Sequence, residues 1–249
     1  MIVKNFSIDK MGLIKWKRSP AEKFHHTSTM NAHAEENDKA PGGLFKVPQP
    51  TIERLSAYLQ CVRVLRDEGS ATASSAEIAK RTGINAAQLR KDLSYFGEFG
   101  TPGLGYDLRE LEAHLSRIMG LDRERDVLLI GAGNLGRALS SYAGFGRRGF
   151  RIVAAFDLDR GKIGVSMGPV PVYHLSQLSE VNARLGAEVG VVAVPASAAQ
   201  SAVDALTEAG VRAILNFAPV TLRTEAPVTV RNVDLTSQME ILSYYLRSK

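Results

Sequence analysis

The chain has 249 residues, 45% hydrophobic and 23% charged, which suits a globular protein with room for one large or two modest domains. Its 31 Lys and Arg against 26 Asp and Glu give a formal net charge of +5, but residues 1–46 alone carry 8 basic and 5 acidic side chains, so bulk charge does not establish a polyanionic partner. The single cysteine, Cys61, excludes an internal disulfide framework and a cysteine-rich zinc site, and no apolar run approaches the roughly 20 residues that span a bilayer.

The start, Met1-Ile2-Val3-Lys4, lacks the apolar core of a signal peptide, so a cytoplasmic protein with no membrane and no metal partner is expected. Residues 1–46 show no sustained periodicity and end in Ala40-Pro41-Gly42-Gly43; they are expected to form a disordered extension. In residues 51–67, Ile52, Leu55, Leu59, Val62 and Leu65 fall at helical spacing and Gly69 closes the run. Cys61 sits within that apolar run as a small hydrophobe. Ser74-Ser75-Ala76-Glu77 has the capping-box pattern and opens a short helix through Arg81. A tight turn, Gly83-Ile84-Asn85, leads into a third helix over 86–96 capped by Asn85.

Helix, short helix, glycine turn and helix is the spacing of a helix-turn-helix. The four glycines of 97–105 suit a β-hairpin wing beside it, so residues 47–106 are expected to form a winged-helix DNA-binding domain. Ala86, Leu89, Leu93 and Phe96 share one stripe that would face the core. Gln88, Arg90, Lys91, Ser94 and Tyr95 lie opposite, and with Ser75 they form the candidate set for base edges and phosphates of double-stranded DNA. Asp107-x-x-Glu110 starts a helix over 108–119, and residues 107–125 are expected to link two domains.

From Asp126 the pattern alternates. Strands are expected over 126–131, 151–157, 170–173, 189–194, 213–217 and 228–233, with helices over 134–143, 175–185, 196–209 and 236–247. That alternation predicts an α/β Rossmann fold, a doubly wound parallel sheet, over 126–233. Its first strand runs into Gly131-Ala132-Gly133-Asn134-Leu135-Gly136, a G-x-G-x-x-G turn. The first glycine permits the turn, the second admits a pyrophosphate, and the third lets helix and strand pack closely. Asp157, 21 residues after Gly136, is placed to accept from the adenosine ribose hydroxyls, which favours NAD(H) over its 2′-phosphorylated counterpart. Arg160 and Lys162 follow closely and soften that preference if they face the site. Pro195 and Asn216 end two further strands on the side where such sheets bind ligands. No His-based or Lys–Tyr catalytic set accompanies these loops, and His174 reads as structural, so an enzyme is not expected.

Residues 88–97 (QLRKDLSYFG), 103–106 (GLGY), 128–139 (LLIGAGNLGRAL) and 214–219 (ILNFAP) together resemble the redox-sensing repressor family called Rex, in matching order from about Val47 to Arg247. The resemblance implies a homodimer in which the last helix, within 234–249, is exchanged between subunits. It implies binding of operator DNA when NAD⁺ prevails and release when NADH accumulates. It also assigns Tyr142 and Asp234 to the nicotinamide neighbourhood. Two positions depart from the family pattern. Pro102 replaces a basic wing residue, and Gln60 stands where an Arg couples redox state to domain orientation, which leaves Arg63, one turn away, as a substitute.

Independently of that likeness, Leu235, Met239, Leu242 and Leu246 form a stripe on the terminal helix that must dock on its own sheet or on a partner. Two other readings remain at this level: an NAD-dependent dehydrogenase with a helical N-terminal domain, and a CoA-binding Rossmann protein.

Overall fold

A computed structural model describes residues 6–8, 13–16, 44–101, 103–224 and 228–247. The chain divides into two compact units between Asp122 and Arg123. Pro102, the wing departure, lies outside the described residues.

The N-terminal region does not follow the expectation of disorder throughout. Strands β1 (Phe6–Ile8), β2 (Leu13–Trp16) and β3 (Leu44–Lys46) form an antiparallel sheet in that order, with Phe6 opposite Trp16 and Ile14 opposite Phe45. Segments of three or four residues are too short to register as periodicity.

Helix α1 (Gln49–Asp67) carries Pro50 in its first turn, where a missing N–H costs no helical bond. It buries Leu55, Tyr58, Leu59, Val62 and Leu65, while Ile52, expected in the core, is 41% exposed. Helix α2 (Ser75–Thr82) is capped by Ser74, whose Oγ accepts from the Glu77 N–H, and stops at Gly83 in the left-handed region. Helix α3 (Ala86–Ser94) is capped by Asn85 Oδ1 accepting from the Ala87 N–H at 2.7 Å. Leu89, Leu93 and Phe96 are buried as the stripe requires.

Between α1 and α2, strand β4 (Thr72–Ala73) pairs antiparallel with β5 (Tyr106–Asp107). The expected hairpin over 97–105 is reduced to a tight turn closed by a bridge between Thr101 and Gly105. The returning chain pairs with β4 instead of with its own outgoing arm. Helix α4 (Leu108–Ile118), expected as a linker, packs on α1 and buries Leu108, Leu111, Leu115 and Ile118 in the same core. Its amphipathic stripe makes it a fourth wall of this unit, and the connection shrinks to the few residues after it.

In the second unit, β6 (Arg125–Ile130), β7 (Phe150–Asp157), β9 (Val170–His174), β10 (Val189–Val192), β11 (Ala213–Asn216) and β12 (Thr229–Asn232) form a parallel sheet, with β8 (Ser166–Met167) antiparallel at its edge. The order is β12-β11-β10-β6-β7-β9-β8, the doubly wound arrangement with its reversal between β6 and β10. Alternate residues of β6 serve opposite cores: Leu128 and Ile130 pack with helices α7 (Leu178–Leu185) and α8 (Ala196–Glu208), while Val127 and Leu129 face the other side. Burial on both faces explains why these strands read as continuous apolar runs.

The helix expected over 134–143 ends early. Helix α5 (Asn134–Ser140) gives way at Ser141, whose hydroxyl bonds back to Arg137 and Ala138 carbonyls, and Tyr142 is extended before the short α6 (Ala143–Gly146). The last helix, α9 (Leu235–Arg247), buries none of its residues. Leu235, Met239, Leu242 and Leu246 are 62%, 65%, 56% and 78% exposed, so docking on its own sheet does not occur.

Candidate functional site

The crevice at the β6/β10 reversal is shaped by three glycines with different constraints. At Gly131, where φ is +103°, a Cβ would fall 2.4 Å from the Ala193 carbonyl oxygen on the β10 side. A Cβ on Gly136 would lie 2.0 Å from the Gly131 oxygen. Those two positions are closed by the protein itself. Around Gly133 nothing stands within 4 Å, so its missing side chain leaves room outside the fold for a ligand group. Asn134 and Leu135 are exposed on the first turn of α5, and the first backbone bond of that helix is Arg137 N–H to the Gly133 oxygen. The preceding amides have no acceptor within the helix, a suitable environment for a pyrophosphate. The residues present therefore fit a dinucleotide.

Asp157 closes the site from the end of β7. Its Oδ2 accepts from the Ala132 N–H at 2.8 Å and from Lys162 Nζ at 3.1 Å, and its Oδ1 accepts from the Asp159 N–H at 2.9 Å. Burial pushes the carboxyl upward, but those backbone and ammonium donors outweigh it and hold the group below its usual range. It is ionised at neutral pH. Ala132, expected among the cofactor contacts, is fully buried with its amide taken by Asp157; its part is to fix the carboxylate.

Other expected contacts sit elsewhere. Pro195 is exposed at the start of α8, beside the end of β10. Asn216 is fully buried; its Nδ2 donates to the Ala218 oxygen and Asn232 Oδ1, and its Oδ1 accepts from the Ala218 N–H. With every polar atom engaged it shapes the loop and has nothing to offer a ligand. Tyr142 is 59% exposed, edge-on to Phe145, in a cleft with Glu124, Phe150 and Arg151 at the amino ends of β6 and β7. That is the opposite end of those strands from Gly131 and Asp157. Asp234 caps α9, accepting from the Thr236 and Ser237 N–H groups and the Ser237 hydroxyl, which lower its pKa. Within one chain, neither Tyr142 nor Asp234 joins the glycine turn.

On α3, Arg90, Lys91 and Ser94 are exposed, while Gln88 and Tyr95 are half-buried. Arg90 Nη1 donates to Ser75 Oγ at 2.9 Å, joining α3 to α2. Ser94 Oγ donates to the Lys91 carbonyl. Gln88 Nε2 donates to Asp92 Oδ1 at 2.9 Å, so its amide is partly committed within the fold.

Asp92 is the residue the sequence reading missed. Fully buried, it accepts from Arg54 Nε at 2.6 Å and Nη2 at 2.8 Å, from Tyr58 Oη at 2.9 Å and from Thr51 Oγ1 at 3.1 Å. The available signal was its place three residues after Leu89, at the edge of the core stripe. Burial pushes the carboxyl up, yet its four donors bring it below the usual range. Arg54 and Tyr58 are both driven higher, Arg54 chiefly by its bond to Asp92 and Tyr58 chiefly by burial. Arg63, the candidate substitute for the missing family Arg, is held by Glu112 and Ser116 within the same unit, whereas Gln60 is exposed. Glu112 also pairs with Arg66.

Among the described residues no cluster of His, Cys, Asp and Glu is placed to hold a metal, and no helix is long and apolar enough to cross a membrane.

Two family models match the chain: "Putative DNA-binding protein N-terminus" over residues 46–94 and "CoA binding domain" over 122–220. A redox-sensing transcriptional repressor Rex from Carboxydothermus hydrogenoformans is 47% identical over 203 residues, covering 82% of this chain and 98% of that protein. The Rex of Streptomyces coelicolor is 43% identical over 203 residues, 82% of this chain and 79% of its own. Among solved structures, RSP in complex with β-NAD⁺ and operator DNA aligns with TM-score 0.77 and 34% identity, covering 82% of this chain and 94% of that one. RSP with β-NADH aligns with TM-score 0.74 and 33% identity over 81% and 95% of the two chains.

Proposed function

The chain belongs to the Rex family of redox-sensing transcriptional repressors, and on that premise we propose that it is a cytoplasmic, non-enzymatic regulator that binds operator DNA as a homodimer and is released by NADH. The observation that carries this reading is the open space at Gly133 between two sterically closed glycines, with an ionised Asp157 anchored to the same turn. Such a turn holds a pyrophosphate at Gly133–Leu135 and offers a carboxylate to the adenosine ribose. The bound cofactor supplies a nicotinamide ring that is cationic when oxidised and neutral when reduced. That difference in charge and shape is the signal, since a ligand shifts a conformational equilibrium only by its differential affinity for the two states.

Arg90 and Lys91 supply cations and Ser94 a hydroxyl on the exposed side of α3, where they meet phosphates and base edges in the major groove. A twofold dimer places two such helices on successive major-groove faces about 34 Å apart and reads two inverted half-sites, so a change in their separation abolishes simultaneous docking. The uncovered face of α9 supports dimerisation through exchange of that helix. Burying each large apolar side chain contributes about 1.5–3 kcal/mol before association entropy is subtracted. Asp234, beside the exchanged helix, then enters the partner's cofactor region, where its charge compensates an oxidised ring.

A mobility-shift assay on an inverted-repeat operator, titrated with NADH and separately with NAD⁺, tests the reading. NADH is expected to dissociate the complex and NAD⁺ to preserve it; saturating NADH without effect refutes the proposal. CoA is a useful control, because Asp157 opposes its ribose phosphate. The dimer is tested by Met239→Glu with Leu242→Glu. Both side chains are more than half exposed within the chain, so the subunit stays folded by circular dichroism while sedimentation moves to the monomer and operator binding is lost. A double variant that sediments as a dimer removes α9 from the interface.

A further inference from the structure

We propose that Lys162 sets the cofactor selectivity of the Gly131–Gly136 site, relaxing the rejection of a 2′-phosphorylated dinucleotide that Asp157 alone would impose. The inference rests on the dinucleotide reading above and concerns which dinucleotides the site admits.

An NAD-selective carboxylate typically accepts from both ribose hydroxyls and repels a phosphate at the same place. Asp157 is not free to do the first in full. Its two oxygens have about four lone-pair sites, and three are already occupied. Oδ2 takes the Ala132 N–H and Lys162 Nζ, and Oδ1 takes the Asp159 N–H. One acceptor position remains, enough for a single ribose hydroxyl. The usual bidentate grip therefore requires Lys162 to move aside.

The second half of the selectivity, repulsion, is weakened as well. Lys162 Nζ lies 3.1 Å from Asp157 and 3.6 Å from Asp159, and Arg160 is exposed on the same one-turn helix, Arg160–Lys162. Two carboxylates and two cations leave this corner electrically balanced. A phosphate there meets a dipole whose positive end is mobile, instead of a lone negative charge. The Lys162 side chain is 33% exposed against 13% for Asp157, so the ammonium is the member of the pair able to turn outward and bond a phosphate.

Calorimetric titration of the full chain with NADH and with NADPH tests this. Wild type is expected to bind both. Lys162→Met is expected to lower the NADPH-to-NADH affinity ratio by about 10-fold or more, the worth of one charge-assisted hydrogen bond, and Lys162→Arg to restore it. Asp157→Ser with Lys162 intact is expected to move the ratio the other way, toward NADPH. A ratio unchanged in Lys162→Met, or NADPH binding undetectable in wild type, overturns the proposal while leaving NADH sensing intact. Failure of wild type to bind NADH overturns the functional reading itself.

Discussion

Replacing Gly133 by alanine is expected to remove the NADH response while leaving a folded, operator-binding protein. Nothing within 4 Å of Gly133 would meet the added methyl, and its backbone, at φ −79° and ψ −166°, is ordinary for any residue. Alanine stiffens the unfolded chain, a gain of about 0.4–1 kcal/mol, and is a poorer helix cap than glycine by a similar amount. The two terms nearly cancel, so the melting temperature stays within a few degrees. The methyl instead occupies the space into which a pyrophosphate must come, and NADH affinity falls by about 100-fold, roughly 2.7 kcal/mol. Calorimetry and the operator assay read the two halves separately. Gly136→Ala is the contrast: its methyl collides with the Gly131 oxygen at 2.0 Å, so stability falls with binding. A Gly133→Ala protein that binds NADH normally would falsify the phosphate placement.

Removing the Asp92 carboxylate is expected to cost more stability than any surface change on the same helix. Asp92→Ala strands four donors, including the Arg54 guanidinium, around an apolar gap. Breaking one partner from a buried pair costs about 3–5 kcal/mol, a drop readable in chemical denaturation. Operator affinity falls with it, because Asp92 ties the reading helix to Thr51, Arg54 and Tyr58 of α1. Asp92→Asn keeps the shape but loses the charge and recovers only part of the stability. The pH dependence has a fixed sign. The folded-state pKa is depressed, so this contribution is fully present above the unfolded carboxylate range near 4 and is lost as pH falls through the lower folded value. Wild type is therefore expected to lose stability below about pH 4 more steeply than Asp92→Asn. Equal acid profiles for the two would remove Asp92 as a source of that loss.

The legibility of the two halves differed for a physical reason. Glycines at 131, 133 and 136 and the carboxylate at 157 are dictated by local sterics and by the length of one βαβ unit, so their spacing announces them. The caps at Ser74, Asn85 and Asp107 involve partners two or three residues away and were likewise readable. Asn216 and Ala132 were misread because a loop position gives no sign of whether its polar groups face a ligand or are consumed by Ala218, Asn232 or Asp157. Tyr142 was drawn to the site by likeness to relatives, yet two serine hydroxyls bonding back onto α5 end the helix early and leave the ring among the amino ends of the strands.

By itself the sequence determined the doubly wound sheet, the helix-turn-helix and the dinucleotide turn, because periodicity, capping and glycine sterics act over a few residues. Only the tertiary structure decided that α4 belongs to the N-terminal core, that Asp92 meets Arg54 across 38 positions, that Lys162 already occupies Asp157, and that α9 buries nothing in its own chain. Those outcomes depend on side chains from distant segments competing for the same donors, acceptors and apolar surface, and that competition is settled only when the chain is folded.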